Sequence, residues 1–113
     1  MSKREPRLLI EDIQEAADKI KQYVAGFTFD AFLKDSKTID AVIRNFEIIG
    51  EAARRLPDDF KDKYTAVDWY RIIGFRNRIV HDYMGIDYQI IWTIIEKDLA
   101  QLITDIDKIY KAI

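Results

Sequence analysis

Cysteine is absent from this chain of 113 residues, which removes disulfides, thiolate catalysis and cysteine-based metal sites together. A single histidine is present, so a metal cage built from imidazoles is not expected. A carboxylate cage stays open, with nothing in the sequence to support it. Glycine (four) and proline (two) are scarce. They form no Gly-rich phosphate loop, no Gly-x-Ser-x-Gly elbow and no flexible linker. No apolar run approaches the roughly 18 residues of a membrane helix, and Met1 to Pro6 lacks the apolar core of a secretory signal. A cytoplasmic location with no membrane contact is therefore the expectation. Charge of one sign is also missing: the net value is -2. Proteins that grip nucleic acid along their whole surface are usually basic, so extended duplex binding is disfavoured while a local basic site is allowed.

What is present suits one globular domain spanning residues 1–113. Apolar residues make up 49% and charged residues 34%, the balance of a chain able to bury a core rather than stay disordered. The punctuation is that of helices. Pro6 suits a first helical position, and Leu9, Ile13, Ala16, Ala17, Ile20, Tyr23 and Val24 recur at helical spacing up to Gly26. Phe29 to Leu33 predicts a turn or two. Ser36 can cap a second helix, with Ile39, Val42, Ile43, Phe46, Ile49, Gly50, Ala53 and Leu56 as its stripe before Pro57. Asp58 to Tyr64 predicts a polar loop or short helical turn. Asp68 can cap a third helix from Trp69 to Val80 or His81. Asp87 can cap a fourth that runs to the end on Ile91, Ile95, Leu99, Leu102, Ile106 and Ile109. Four amphipathic helices with short connections predict an all-α, up-and-down four-helix bundle. Ile90, Trp92, Ile94, Ile103 and Tyr110 widen the apolar face of the last helix. That face either covers a wide core in a monomer or buries a second surface in a homodimer, and the homodimer is the expectation.

One stretch carries chemistry. On the third helix, Trp69, Ile72, Ile73, Arg76, Ile79, Val80 and Tyr83 share a face, and Arg76 stands where that pattern asks for an apolar residue. An arginine stays charged, so it must find an acid, a wet seam or an anionic ligand. Glu47 or Glu51 of the second helix could serve as the acid. His81 lies near the helix end beside Asp82, with Asn77 four residues earlier on the same face. Lone histidines are more often surface or core residues than catalysts. Arg76 and His81 are five apart, about 140° around a helix of 3.6 residues per turn. They converge if the helix loosens, if their side chains bend together, or if a second copy supplies the other half across a two-fold axis. Between Trp69 and Val80 there are three arginines (Arg71, Arg76 and Arg78) and no acid. Imidazole moves protons near neutral pH and guanidinium holds phosphate oxygens, a combination suited to phosphodiester chemistry. A solvated basic face explains Arg71 and Arg78 better than Arg76.

Arg76-x4-His81-x-Tyr83, with the polar Asn77 after the arginine, resembles the motif of the HEPN superfamily, and of its HepT toxin branch in particular. Arg44-Asn45-Phe46-Glu47-Ile48-Ile49-Gly50-Glu51-Ala52-Ala53-Arg54-Arg55-Leu56-Pro57 is similar to that branch's second helix. Asp68 to Arg78 is similar to the lead into its motif, and Tyr83-Met84-Gly85-Ile86-Asp87 to the turn into its last helix. The resemblance implies a bundle that dimerises with both motifs near the interface, and a ribonuclease needing neither metal nor other cofactor. It also implies the toxin of a toxin–antitoxin pair, whose minimal nucleotidyltransferase antitoxin attaches AMP from ATP to the motif tyrosine. Carried onto this chain, Arg76 and His81 are catalytic, Asn77 assists, and Tyr83 is the modified residue. Arg71 and Arg78 are candidate phosphate or RNA contacts. Two readings compete: a binding module that holds nucleotide or RNA without cutting, and a structural dimerisation bundle in which Arg76 pairs with Glu47 or Glu51.

Overall fold

The computed structural model describes residues 5–81 and 85–113. Its helices are α1 (Pro6–Val24), α2 (Phe29–Leu33), α3 (Ser36–Arg55), α4 (Asp58–Lys63), α5 (Trp69–His81), α6 (Tyr88–Lys97) and α7 (Leu99–Ala112). α1 packs along both α3 and α7, and α3 packs along α5. With α6 and α7 taken as one broken rod, this is the expected all-helical bundle, and no strand occurs among the described residues.

The helix boundaries follow local chemistry. Pro6 opens α1, where a missing amide hydrogen costs nothing. Past its end, Gly26 takes a positive φ of 78°, a backbone state that glycine adopts freely. Thr28 caps α2 by accepting the amide of Ala31 at 3.1 Å. The cap of α3 is Asp35 rather than the expected Ser36: its carboxylate accepts the Thr38 amide at 3.1 Å, and Ser36 is already helical. Aspartate and serine cap about equally well, so sequence preference does not separate neighbouring candidates. Asp68 accepts the Arg71 amide at 3.1 Å and Asp87 the Gln89 amide at 2.9 Å, as expected for α5 and α6.

The single last helix expected from the sequence is broken at Asp98, which sits at φ -113° between α6 and α7. Aspartate is a weak helix former because its side chain competes for local partners. Here that side chain leaves the helix to meet Arg71 of α5 at 3.2 Å. The segment after Pro57 is helical and does structural service as well. Lys61 is buried, with its ammonium 3.4 Å from the Ala53 carbonyl near the end of α3.

Burial divides the bundle. α1 buries Leu9, Ile10, Ile13, Ala16, Ala17 and Ile20, α3 buries Ile39, Val42, Ile43, Phe46 and Ile49, and the two helices pack along each other. Phe32 of α2 is fully buried with its ring 5.2 Å from that of Trp92. α5 buries only Trp69 and Ile79. Phe75, absent from the expected face, packs edge-on against Phe46 at 5.3 Å, whereas Val80, assigned to that face, is 45% exposed. The inward side of α5 is thus rotated by part of a turn from the simple pattern, and its line passes through Arg76.

Candidate functional site

Arg76 is set by the close approach of two helices. A Cβ at Gly50 of α3 would overlap the Cβ and Cγ of Arg76. The missing side chain at Gly50 is what lets α5 lie against α3 here, with the aliphatic stem of the arginine filling the space. A glycine inside a helix costs about 0.5–1 kcal/mol relative to alanine, so its presence is explained by this contact. The guanidinium is then held from two sides. Nη2 lies 3.3 Å from Oε2 of Glu51, and Nη1 donates to Oδ1 of Asn77 at 3.2 Å. Nε is buried and lacks a hydrogen-bond partner. The arginine side chain remains 27% exposed.

The exposed part opens into a cavity of about 250 Å³ lined at its charged positions by Asp12, Arg44, Glu47, Glu51, Arg55 and Arg76. Glu51 is the node of this cluster. Its Oε1 accepts from Arg54 Nη2 at 2.7 Å and Arg55 Nε at 3.1 Å, while Oε2 meets Arg54 Nε at 3.1 Å as well as Arg76. The hydrogen bonds from Arg54 hold the Glu51 carboxyl below its ordinary value, against the opposing pull of burial, with Arg55 and the charge of Arg76 adding to the effect. Of the two acids considered for Arg76, Glu51 makes the ion pair and Glu47 lines the same cavity.

Of the remaining expected site residues, only Asn77 is seen to join this cluster. Asn77 is exposed and touches the guanidinium directly. His81 is exposed as the last residue of α5 and does not line the Arg76 cavity. A regular helix offsets these two positions by about 140°, and α5 stays helical through His81. Arg78 is exposed. Arg71 is exposed, pairs with Asp98, and borders a separate, largely apolar cavity of about 180 Å³ that includes Phe46, Ile72, Phe75, Leu99 and Leu102. Tyr83 and Asp82 fall outside the described residues.

Periodicity did not single out Gly50 or Arg44. The available signal at Gly50 was a residue without a side chain in a stripe of isoleucine and phenylalanine, four positions before Arg54. Arg44 reads as an ordinary surface arginine until the fold brings it beside Arg76. Among the described residues no group of three or more histidine, aspartate or glutamate side chains is gathered closely enough to hold a metal ion, and no helix is long and apolar enough to cross a membrane.

An arginine held between an amide and a carboxylate at an open cavity, with an exposed imidazole on the same helix, suits binding of an anion more than core stability. Comparison with known proteins points the same way. The chain is 42% identical over its whole length, and 93% of the relative's, to "Putative RNase MJ0127" of Methanocaldococcus jannaschii. It is 36% identical to the "Probable ribonuclease HepT" of Thermococcus cleftensis, covering 96% of this chain and 99% of that one. No solved structure matches the chain. A family model described as "Ribonuclease HepT-like" matches residues 13–109, and the chain belongs to the HepT-like ribonuclease family.

Proposed function

We propose that this chain is a metal-independent endoribonuclease, the toxin of a toxin–antitoxin pair, that works as a homodimer with Arg76 and His81 as its catalytic residues. The observation that carries this reading is the partly exposed Arg76 guanidinium, fixed by Asn77 and Glu51 at the mouth of a polar cavity.

Since His81 does not line the Arg76 cavity, the chemistry needs a second copy. Half-buried apolar residues on α5 and on the broken last rod, among them Ile72, Ile73, Ile90, Ile94, Ile95 and Ile103, offer surface for that contact. In the dimer, one His81 imidazole takes the proton of a ribose 2′-hydroxyl as its oxygen attacks the adjacent phosphorus. Arg76 balances the charge on the crowded phosphorane-like state, and the histidine of the other copy gives a proton to the departing 5′-oxygen. The products are a 2′,3′-cyclic phosphate and a 5′-hydroxyl. DNA, lacking the 2′-hydroxyl, is inert.

Tyr83 follows His81 by two residues. AMP attached to its hydroxyl by a nucleotidyltransferase antitoxin adds bulk and a phosphate that competes for the arginines. Mass spectrometry after incubation with that transferase and ATP is expected to place the added mass on Tyr83; a label elsewhere removes this role.

The Arg76–Glu51 pair also favours a purely structural reading, in which the arginine only ties α5 to α3. Against it stand the 27% exposure of Arg76 and the cavity before it. A non-catalytic nucleotide- or RNA-binding module is the other competitor. Incubation with total RNA separates all three. Wild type is expected to yield cyclic-phosphate ends, while Arg76→Ala and His81→Ala yield none and remain folded dimers. Undiminished cleavage by both variants refutes the assignment, and tight RNA binding without turnover by the wild type identifies the binding module.

A further inference from the structure

We infer that Gly50 and Glu51 together form a cradle that positions Arg76: Gly50 receives its stem and Glu51 fixes its head. The inference rests on the reading of Arg76 as catalytic and adds two positioning residues from a different helix. Three observations carry it. The stem of Arg76 occupies the space that a Gly50 side chain would need. The neighbouring residue on α3, Glu51, meets Nη2 at 3.3 Å. Asn77 takes Nη1 at 3.2 Å from the other side. With both terminal nitrogens held, rotation about the Nε–Cζ bond is restrained at the cavity that Arg76 lines.

A carboxylate beside a phosphate-binding arginine could instead be a competitor for it. The hydrogen-bond pattern argues for positioning. Glu51 also accepts from Arg54 and Arg55, at 2.7 to 3.1 Å, closer than its 3.3 Å approach to Arg76. Its negative charge is therefore shared among three guanidinium groups, and it directs Arg76 more than it neutralises it. Such an anchor also carries little entropy cost, because Glu51 is ordered by its own helix neighbours at i+3 and i+4 before Arg76 arrives. A displacement of an anchored catalytic group by about 1 Å can cost on the order of 100-fold in rate.

The test uses the full chain and measures steady-state RNA cleavage for Glu51→Ala, Glu51→Gln and Arg76→Ala. Glu51→Ala is expected to lower kcat by roughly 10- to 100-fold with KM changed less than about twofold. Glu51→Gln, which keeps an acceptor oxygen for Nη2, is expected to restore part of that loss. In an Arg76→Lys background, removing Glu51 is expected to have little further effect, the non-additivity of residues acting through one contact. Nitrogen-15 spectra supply a readout that needs no turnover. The Arg76 terminal nitrogens should give separate signals in the wild type and one averaged signal in Glu51→Ala. Gly50→Ala should lower kcat at least as much, and if it fails to fold the Glu51 variants still decide. An inactive Arg76→Ala beside a Glu51→Ala enzyme of wild-type kcat overturns the cradle. A fully active Arg76→Ala overturns the underlying reading of Arg76 instead. A Glu51→Ala enzyme faster than wild type identifies Glu51 as a competitor and also overturns the proposal.

Discussion

The two long helices at the front of the chain and the motif helix are built to different standards. α1 and α3 meet through side chains that are almost wholly buried, whereas α5 buries only Trp69 and Ile79 and leaves the rest of its inward side half covered. The first contact is a core. The second is a shallow seat in which a glycine, an ion pair and a cavity replace apolar filling. On the proposed reading of Arg76, the deep contact supplies stability and the shallow seat the chemistry. α3 serves both, with one face on α1 and its Gly50–Glu51 edge under Arg76.

That division can be tested by exchanging the effects. Arg76→Ala is expected to abolish RNA cleavage while thermal unfolding of the protein stays near the wild-type midpoint, because the residue lies on the shallow seat. A large loss of stability on this change would mean that the seat is part of the core. Ile13→Ala, in the deep contact, is expected to cost about 2–5 kcal/mol in denaturant titration, with cleavage per folded molecule unchanged. Ile72→Ala, half buried on α5, should cost less than Ile13→Ala; equal costs would erase the distinction between the two regions. Asp68→Ala removes the cap of α5 and should cost about 1 kcal/mol. The smallest effect concerns acid. The carboxyl of Glu51 is held below its ordinary value of 4.5. Its contribution to stability is therefore present above that pH and lost as pH falls further through the folded-state value. Glu51→Gln should flatten stability against pH only in that acid range and leave the profile near neutrality unchanged.

The caps at Asp68 and Asp87, the proline start of α1 and the stripes of α1 and α3 are legible because each depends on residues a few positions apart. The Asp98 break was not, since it involves a partner 27 residues earlier on another helix. The face of α5 was read only in part: Trp69, Ile72 and Ile79 follow the pattern, but Phe75 turns inward to meet Phe46 and Val80 turns out. At the site, the sequence marked Arg76 as an anomaly and narrowed its partner to two glutamates of α3. It could not rank them, because helical spacing places both Glu47 and Glu51 within reach of a facing helix.

Sequence alone determined the helical elements apart from the break at Asp98, the motif Arg76-x4-His81 with its flanks, and hence the family, since periodicity and motif are properties of neighbours along the chain. Tertiary structure decided that Gly50 admits the stem of Arg76, that Glu51 gathers three arginines, and that His81 stands away from the cavity within one chain. Those facts depend on the separation and rotation of packed helices. Side-chain volume at the crossing sets both, and no spacing rule along a single helix contains it.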